Sequence, residues 1–237
     1  MLGFLRAALV TDPLIVLATI AMGTASLATS LFDASGRAQH AVARLWARML
    51  LAIGGVRVRV EGLERISADS SYVFVSNHLS YMDTPLMIAH IPAQFRFLAK
   101  KSLLKVPFIG YHLKRAGHIP VPRGDARASL RTMAEAARIV RERGVSVLVF
   151  PEGGRAPGAM REFKAGAAYI AIKAGVPVVP VGIVGTRQIL PMDSLLVRGG
   201  EVRLRIGTPI PTAGLTIHDH RQLTEQLREA VAELARE

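Results

Sequence analysis

The stretch Val145-Ser146-Val147-Leu148-Val149-Phe150 decides the fold, because a short, near-continuous apolar run suits a strand buried on both faces. Residues 126–143, just before it, carry Leu130, Met133, Ala137 and Val140 as an inward helical stripe, and Gly144 supplies the stop. Residues 165–174, after it, read as a second helix, and Val176 to Val184 as another buried strand. Strand alternating with helix predicts a parallel sheet covered on both faces. Further out, Tyr72 to Val75 is a short apolar strand. Val56-Arg57-Val58-Arg59-Val60 and Val202-Arg203-Leu204-Arg205-Ile206 alternate as strands with one exposed face. A last amphipathic helix runs around Leu223, Leu227, Val231 and Leu234. The expected architecture is a single α/β domain over 55–237, with a mixed, mostly parallel central sheet flanked by helices.

Residues 1–54 read differently. Pro13 to Phe32 is a run of 20 residues without a charge, about the length that crosses a bilayer's hydrocarbon core. Thr19, Thr24, Ser26, Thr29 and Ser30 dilute it. A span and a buried or interfacial helix therefore stand level, with a cleaved signal peptide as a weaker third reading. From Gly36 to Ile53, Ala41, Leu45, Met49 and Leu50 lie at helical spacing, with Trp46 beside them and Arg37, Arg44 and Arg48 for charge. A basic amphipathic helix bearing Trp suits a membrane interface, and it suits equally a helix packed on the domain. Five arginines (Arg37, Arg44, Arg48, Arg57, Arg59) follow the apolar run and only Arg6 precedes it. If the run spans, this asymmetry puts the domain on the cytoplasmic face.

The 237 residues carry a formal net charge of +12, half of them are hydrophobic, and 5% are aromatic. The basic excess favours anionic partners such as acidic lipid head groups or a phosphorylated substrate. Nucleic acid is disfavoured by the scarcity of aromatics and the lack of a binding motif. With no cysteine, disulfides, thiolate metal sites and a Cys nucleophile are excluded. No ligand spacing among His40, His90, His112 and His118 points to a metal.

Chemistry concentrates in two clusters. In Ser76-Asn77-His78-Leu79-Ser80-Tyr81-Met82-Asp83-Thr84-Pro85, Asn77 and His78 end an apolar strand, and Pro85 suits a helix start with Asp83 or Thr84 as its cap. On one straight helix His78 and Asp83 would diverge by about 140°. A turn between strand and helix brings them together, at the strand end where α/β proteins place their sites. A His beside a carboxylate is a general base; alone, the spacing also fits a loop His near a capping Asp. In Phe150-Pro151-Glu152-Gly153-Gly154-Arg155 the glycines expose backbone N–H groups and Arg155 offers a forked cation for phosphate. The Walker pattern is absent, so nucleotide hydrolysis is unsupported. Arg123, closing Gly117-His118-Ile119-Pro120-Val121-Pro122-Arg123, is a second anion contact. Two prolines in Val176-Pro177-Val178-Val179-Pro180-Val181 suggest an edge, a bulge or the wall of an apolar pocket.

Together and in this order, the segments resemble the glycerolipid acyltransferase family, in particular its 1-acylglycerol-3-phosphate acyltransferases. Asn77, His78 and Asp83 match its Asn-His-x4-Asp hallmark; Lys100, Lys101, Pro107, Phe108 and Gly110 match its Lys-Lys and Pro-Phe-x-Gly segment. Gly117 to Arg123, Phe150 to Arg155 and Val176 to Val181 match its further blocks, over about residues 56–210. One position departs: Gly154 stands where the family usually has Thr, removing a hydroxyl near the acceptor. The resemblance implies acyl transfer from acyl-CoA or acyl carrier protein to the sn-2 hydroxyl of a lysophosphatidic acid, giving phosphatidic acid. His78 would be the general base and Asp83 its orienting carboxylate. Arg155, Arg123 and Lys101 would hold the phosphate, with Glu152 orienting one of these cations and Asn77 and Gly153 in support. Residues 176–181 would line an acyl channel. The acyl thioester is a co-substrate, and no metal or bound cofactor is implied. Membrane lipids are the expected surroundings, since related enzymes carry an N-terminal helical pair that seats them on the bilayer. Another lysolipid acceptor keeps the same chemistry. A non-catalytic, basic, membrane-peripheral lipid binder is a different class of reading, and it leaves His78 and Asp83 unexplained.

Overall fold

The computed structural model describes residues 5–106, 109–122, 124–155 and 158–236. Strands β1 (Val56–Glu61), β2 (Val73–Ser76), β3 (Phe95–Lys100), β4 (Ile119–Val121), β5 (Ser146–Val149), β6 (Val178–Val184) and β7 (Gly200–Ile206) share one sheet. Their order is β1-β7-β6-β2-β5-β3-β4. The five strands from β6 to β4 run parallel. β7 is antiparallel to β6 and parallel to β1, so the sheet is mixed and mostly parallel. The helices are α1 (Asp12–Thr29, continuing a π-helical turn at Ala7–Thr11), α2 (Arg37–Ile53), α3 (Asp83–His90) and α4 (Ile109–Arg115). Then come α5 (Ala126–Arg143), α6 (Gly166–Ala174), the single turn α7 (Thr186–Ile189) and α8 (His220–Leu234).

Because successive strand residues point to opposite faces, Phe74 enters one core while Val73 and Val75 enter another. The first core sets Phe74, Phe95, Leu148, Val181 and Leu204 against Ala47 and Leu51 of α2 and Leu86 and Met87 of α3. The second sets Val73, Val75, Val147 and Val149 against α5, α6 and α8. Asp125 caps α5 by accepting the Ala128 N–H at 2.9 Å, and Gly144 ends it at φ +60°, where the missing Cβ removes the left-handed penalty.

Several expected details shift. The buried stripe of α5 is Met133, Ala136, Ala137 and Val140; Leu130, a turn nearer the N-terminus, lies beyond the covered length and is 54% exposed. On α2 the buried face is Gln39, His40, Ala47, Leu50 and Leu51, while Ala41 and Leu45 face outward. Its polar members are tied inward, Gln39 by donating to the Asp33 carbonyl and the half-buried Arg44 by donating to those of Ile91 and Pro92. Leu234 is half-buried.

β6 is an interior strand rather than an edge. Pro180 is tolerated because it sits where β7 has just ended, its carbonyl accepting from Gly207 N at 2.8 Å. Gly207 leaves room for the ring, since a Cβ there would lie 2.8 Å from Pro180 Cγ. Val178, Val179 and Val181 are fully buried in the two cores, so they line no open channel.

The helical pair is tied to the domain by polar contacts. Trp46 Nε1 donates to Thr19 Oγ1 at 3.1 Å, joining α2 to α1. Arg115 of α4 donates to the Ser30 carbonyl at 2.7 Å, and Arg96 of β3 to that of Ser35 at 2.8 Å. Ser26 Oγ lies 2.7 Å from His112 Nδ1. Beneath these ties His40 and Arg96 are buried, with His112 and His118 half-buried. Burial holds the His40 imidazole down to about 3 from an ordinary 6.5, and the charges of Arg44, Arg96 and His112 add to this. Burial likewise lowers His112 and, strongly, His118, with Arg96 adding to both.

An imidazole kept neutral by burial gives stability that is complete above its unfolded pKa and lost as pH falls toward the folded one. Stability should therefore drop as pH falls from about 6.5 toward about 3. By pH 5 His40 alone accounts for about 2 kcal/mol, or roughly 4–8 °C in Tm for a chain of this size. Thermal melts at pH 7 and pH 5 check this, and His40→Phe should narrow the drop; identical melts at both values would contradict it.

Candidate active site

In the sheet order β6-β2-β5, the segments following these three parallel strands meet at one edge. His78 comes from the turn after β2, Glu152 from the turn after β5, and Thr186 from the corner after β6. The turn from Asn77 to Met82 folds the chain back, and His78 Nδ1 lies 2.8 Å from Asp83 Oδ2. Asp83 is the first residue of α3 but does not cap it: the N-cap position is Met82. Its carboxylate instead faces back into the turn, where Oδ2 also accepts the N–H groups of Leu79 (2.7 Å) and Ser80 (2.8 Å). Oδ1 accepts the hydroxyl of Thr186 at 2.5 Å. The Asp83 side chain is 0% exposed and that of His78 is 18% exposed, so the pair is buried at one end and open at the other.

A carboxylate only accepts, so the ring nitrogen facing Asp83 carries the proton and Nε2 is left with a free lone pair. The His78 ring is also held by stacking on Phe150, with centroids 4.1 Å apart and planes 15° apart. Its backbone N–H donates to Glu152 Oε1 at 2.8 Å, while Glu152 Oε2 accepts from Arg161 N at 3.0 Å. Glu152 is buried, and among the described residues it forms no ion pair. Both its oxygens are taken by backbone N–H groups, so it braces the backbone that carries His78, and neither Arg155 nor Lys101 pairs with it. Asn77 has a similar part, its amide donating to the Ile183 carbonyl at 2.9 Å and accepting from Ile183 N at 2.8 Å.

The Arg155 guanidinium lies over the Tyr81 ring, 3.4 Å from its centroid, which brings the glycine turn against the histidine turn. Among the described residues Arg155 Nη1 is buried without a hydrogen-bond partner. A buried donor of this kind is costly unless something fills it. Gly153 has φ +74°, and a Cβ there would come 2.9 Å from Lys164 Nζ, a cation that the reading of the sequence did not single out. Lys101 is exposed, opening a 3₁₀ turn (Lys101–Lys105) after β3. Arg123, Pro107 and Phe108 lie outside the described residues. Among the described residues no cluster of His, Asp and Glu could hold a metal ion.

Phe150 and Ser80 stand in the two clusters read from the sequence but were given no role there, and Thr186 was missed as part of the site. Ser80 Oγ donates to the Leu190 carbonyl at 2.7 Å and so ties the turn to the far end of α7. The signal for Thr186 was its place just past a buried strand, the same rule that singled out His78.

Known proteins resemble this chain in sequence and in fold. The chloroplastic 1-acyl-sn-glycerol-3-phosphate acyltransferase BAT2 of Brassica napus is 35% identical over 184 residues, 76% of this chain and 53% of that protein. The alpha form of 1-acyl-sn-glycerol-3-phosphate acyltransferase from Homo sapiens is 33% identical over 184 residues, 77% of this chain and 65% of that protein. The chain thus spans about half the length of the plant relative. The crystal structure of the 1-acyl-sn-glycerophosphate (LPA) acyltransferase PlsC from Thermotoga maritima superposes with a TM-score of 0.82 at 28% identity, covering 97% of this chain and 94% of that one. The acyltransferase family itself matches residues 57–184, a stretch that holds His78, Asp83, Glu152 and Arg155 and stops just short of Thr186. The chain belongs to the acyltransferase family.

Proposed function

We propose that the chain transfers an acyl group from a thioester, acyl-CoA or acyl carrier protein, to the sn-2 hydroxyl of a 1-acylglycerol-3-phosphate, yielding phosphatidic acid. The observation that carries the reading is the His78–Asp83 pair, with Nδ1 engaged by a buried carboxylate and Nε2 free. The names of the similar proteins support this acceptor.

The acceptor hydroxyl binds against His78 Nε2, which takes its proton as the oxygen attacks the thioester carbonyl. A tetrahedral intermediate forms and collapses, breaking the carbon–sulfur bond, and the imidazolium returns its proton to the departing thiolate. Asp83 keeps the ring in the required tautomer and stabilises the imidazolium. No acyl-enzyme is needed, in keeping with a chain that has no cysteine. Arg155 meets the acceptor's phosphate through its unpartnered Nη1, assisted by Arg123 and Lys101. Gly154 favours one second reading, a different lysolipid acceptor, because no hydroxyl stands there to meet a phosphate.

The setting proposed is a membrane, with the domain on its cytoplasmic face. Ala7–Thr29 is long and apolar enough to cross a bilayer by length and composition, yet only 17% of its apolar window is buried in the protein. Leu9, Val10, Leu14, Leu17 and Ile20 are exposed along it, and Phe32 beyond it is 90% exposed. An apolar face of this kind favours lipid over water.

Thiol release from palmitoyl-CoA with lysophosphatidic acid in detergent tests the chemistry. Wild type should turn over, and His78→Ala should lose roughly 100-fold or more; equal rates would remove His78 from the mechanism. In the same assay Arg155→Leu should raise KM for the acceptor about tenfold with a smaller change in kcat, and an unchanged KM would separate Arg155 from the phosphate. For the membrane, Leu17→Glu combined with Ile20→Glu should move the protein from sedimenting anionic vesicles to the supernatant. Undiminished sedimentation would place the contact elsewhere.

A further inference from the structure

A carboxylate that orients a histidine has to be oriented itself. The imidazole and the two turn amides of Leu79 and Ser80 all converge on Asp83 Oδ2. Three donors on Oδ2 resist rotation of the carboxylate about its Cβ–Cγ bond, a soft torsion, but they leave the buried Oδ1 to find a partner of its own. The second oxygen, Oδ1, is anchored by the Thr186 hydroxyl at 2.5 Å, from a residue 1% exposed. Anchored at both oxygens, the carboxylate cannot turn to satisfy Oδ1 at the expense of Oδ2, and its fixed plane sets the direction in which Nδ1–H points.

The corner that delivers this hydroxyl is tightly constrained. Gly185, just before it, has φ +93°, and a Cβ there would lie 2.6 Å from the Glu201 carbonyl oxygen, so β6 turns sharply where a larger residue would not fit. The segment from Ile183 to Leu190 is tied to the histidine turn at both ends as well as at its centre. Asn77 grips Ile183, Thr186 grips Asp83, and Ser80 grips Leu190. All three ties join groups that are buried in whole or in part, so each would leave a costly unpaired polar group if broken.

We infer that Thr186 is a positioning residue of the acyl transfer: it orients the Asp83 carboxylate and through it the His78 ring. The inference rests on the acyltransferase reading for its kinetic consequence, though its geometric consequence can be measured without turnover. Thr186 acts on the base through Asp83, so its loss slows the proton-transfer step and leaves acceptor binding alone. Without the hydroxyl, Oδ1 is a buried unsatisfied acceptor, and the carboxylate rotates to find another donor.

The test compares Thr186→Val, which keeps the shape, with Thr186→Ser, which keeps the hydroxyl. Wild type and both variants are assayed for thiol release, and the His78 Nδ1–H proton is followed by NMR in protein labelled with ¹⁵N-histidine, assigned by its absence in His78→Ala. In Thr186→Val, kcat should fall about tenfold or more with the acceptor KM unchanged, and the His78 proton signal should shift or broaden away. Thr186→Ser should keep most of the rate and the signal. Should valine not fold, Thr186→Ala repeats the comparison. A folded variant without the hydroxyl that keeps both the wild-type rate and the signal overturns the inference. So does one that loses rate while the His78 signal stays intact, because the effect then arises elsewhere. If wild type shows no acyl transfer, the function proposed above fails, but loss of the signal in Thr186→Val still supports the positioning role and its persistence still refutes it.

Discussion

A carboxylate taken wholly out of water has to find its hydrogen bonds inside the protein, and at Asp83 that requirement organises the site. Its donors come from the histidine side chain, from two amides of the turn and from a threonine on another strand's corner. Satisfying them forces the chain after β2 to fold back and keeps β6 beside β2. The glycine turn after β5 then falls next to the imidazole, with Phe150 beneath the ring and Glu152 holding the backbone N–H of His78. Interior hydrogen bonds are worth more to geometry than to net stability, and here the geometry decides the chemistry.

The helical coverings serve that arrangement indirectly. Both faces of the parallel strands are sealed, which lets one strand end be polar without flooding the core. The pair α1–α2 differs from the rest: α2 shares the core with α3, whereas α1 keeps most of its apolar window outside the protein. Its attachment through Trp46, Arg96, His112 and Arg115 combines polar ties with imidazoles that burial keeps neutral. A membrane-facing helix can be held this way without surrendering the face that lipid would cover.

Much of the fold was legible in the sequence, because period and punctuation are local signals. Gly144 and Asp125 bound a helix that runs over the expected residues, and the apolar run after it became a strand buried on both faces. What sequence spacing could not reveal was which strands would be neighbours. The prolines of β6 read as an edge, a bulge or a pocket wall because the end of β7 beside Pro180 is a tertiary fact. Leu130 read as part of an inward stripe because periodicity finds a stripe without saying how much of it is covered, and the same periodicity left open whether Ala41 and Leu45 would face the domain or the surroundings. In the site, His78 and Asp83 were readable because five residues separate them. The partnership of Thr186 with Asp83 was not, since it forms across 103 positions, and Glu152 carried no signal that it would grip backbone amides.

In the proposed mechanism the imidazole acts as a base on the acceptor and never carries the acyl group. Rapid-mixing measurement of thiol release from palmitoyl-CoA by the intact protein, with and without lysophosphatidic acid, tests it directly. Without acceptor, no stoichiometric burst of thiol and no acyl label on the protein are expected, and adding acceptor should start release at once. One equivalent of thiol released without acceptor, with the acyl group found on His78, would contradict it.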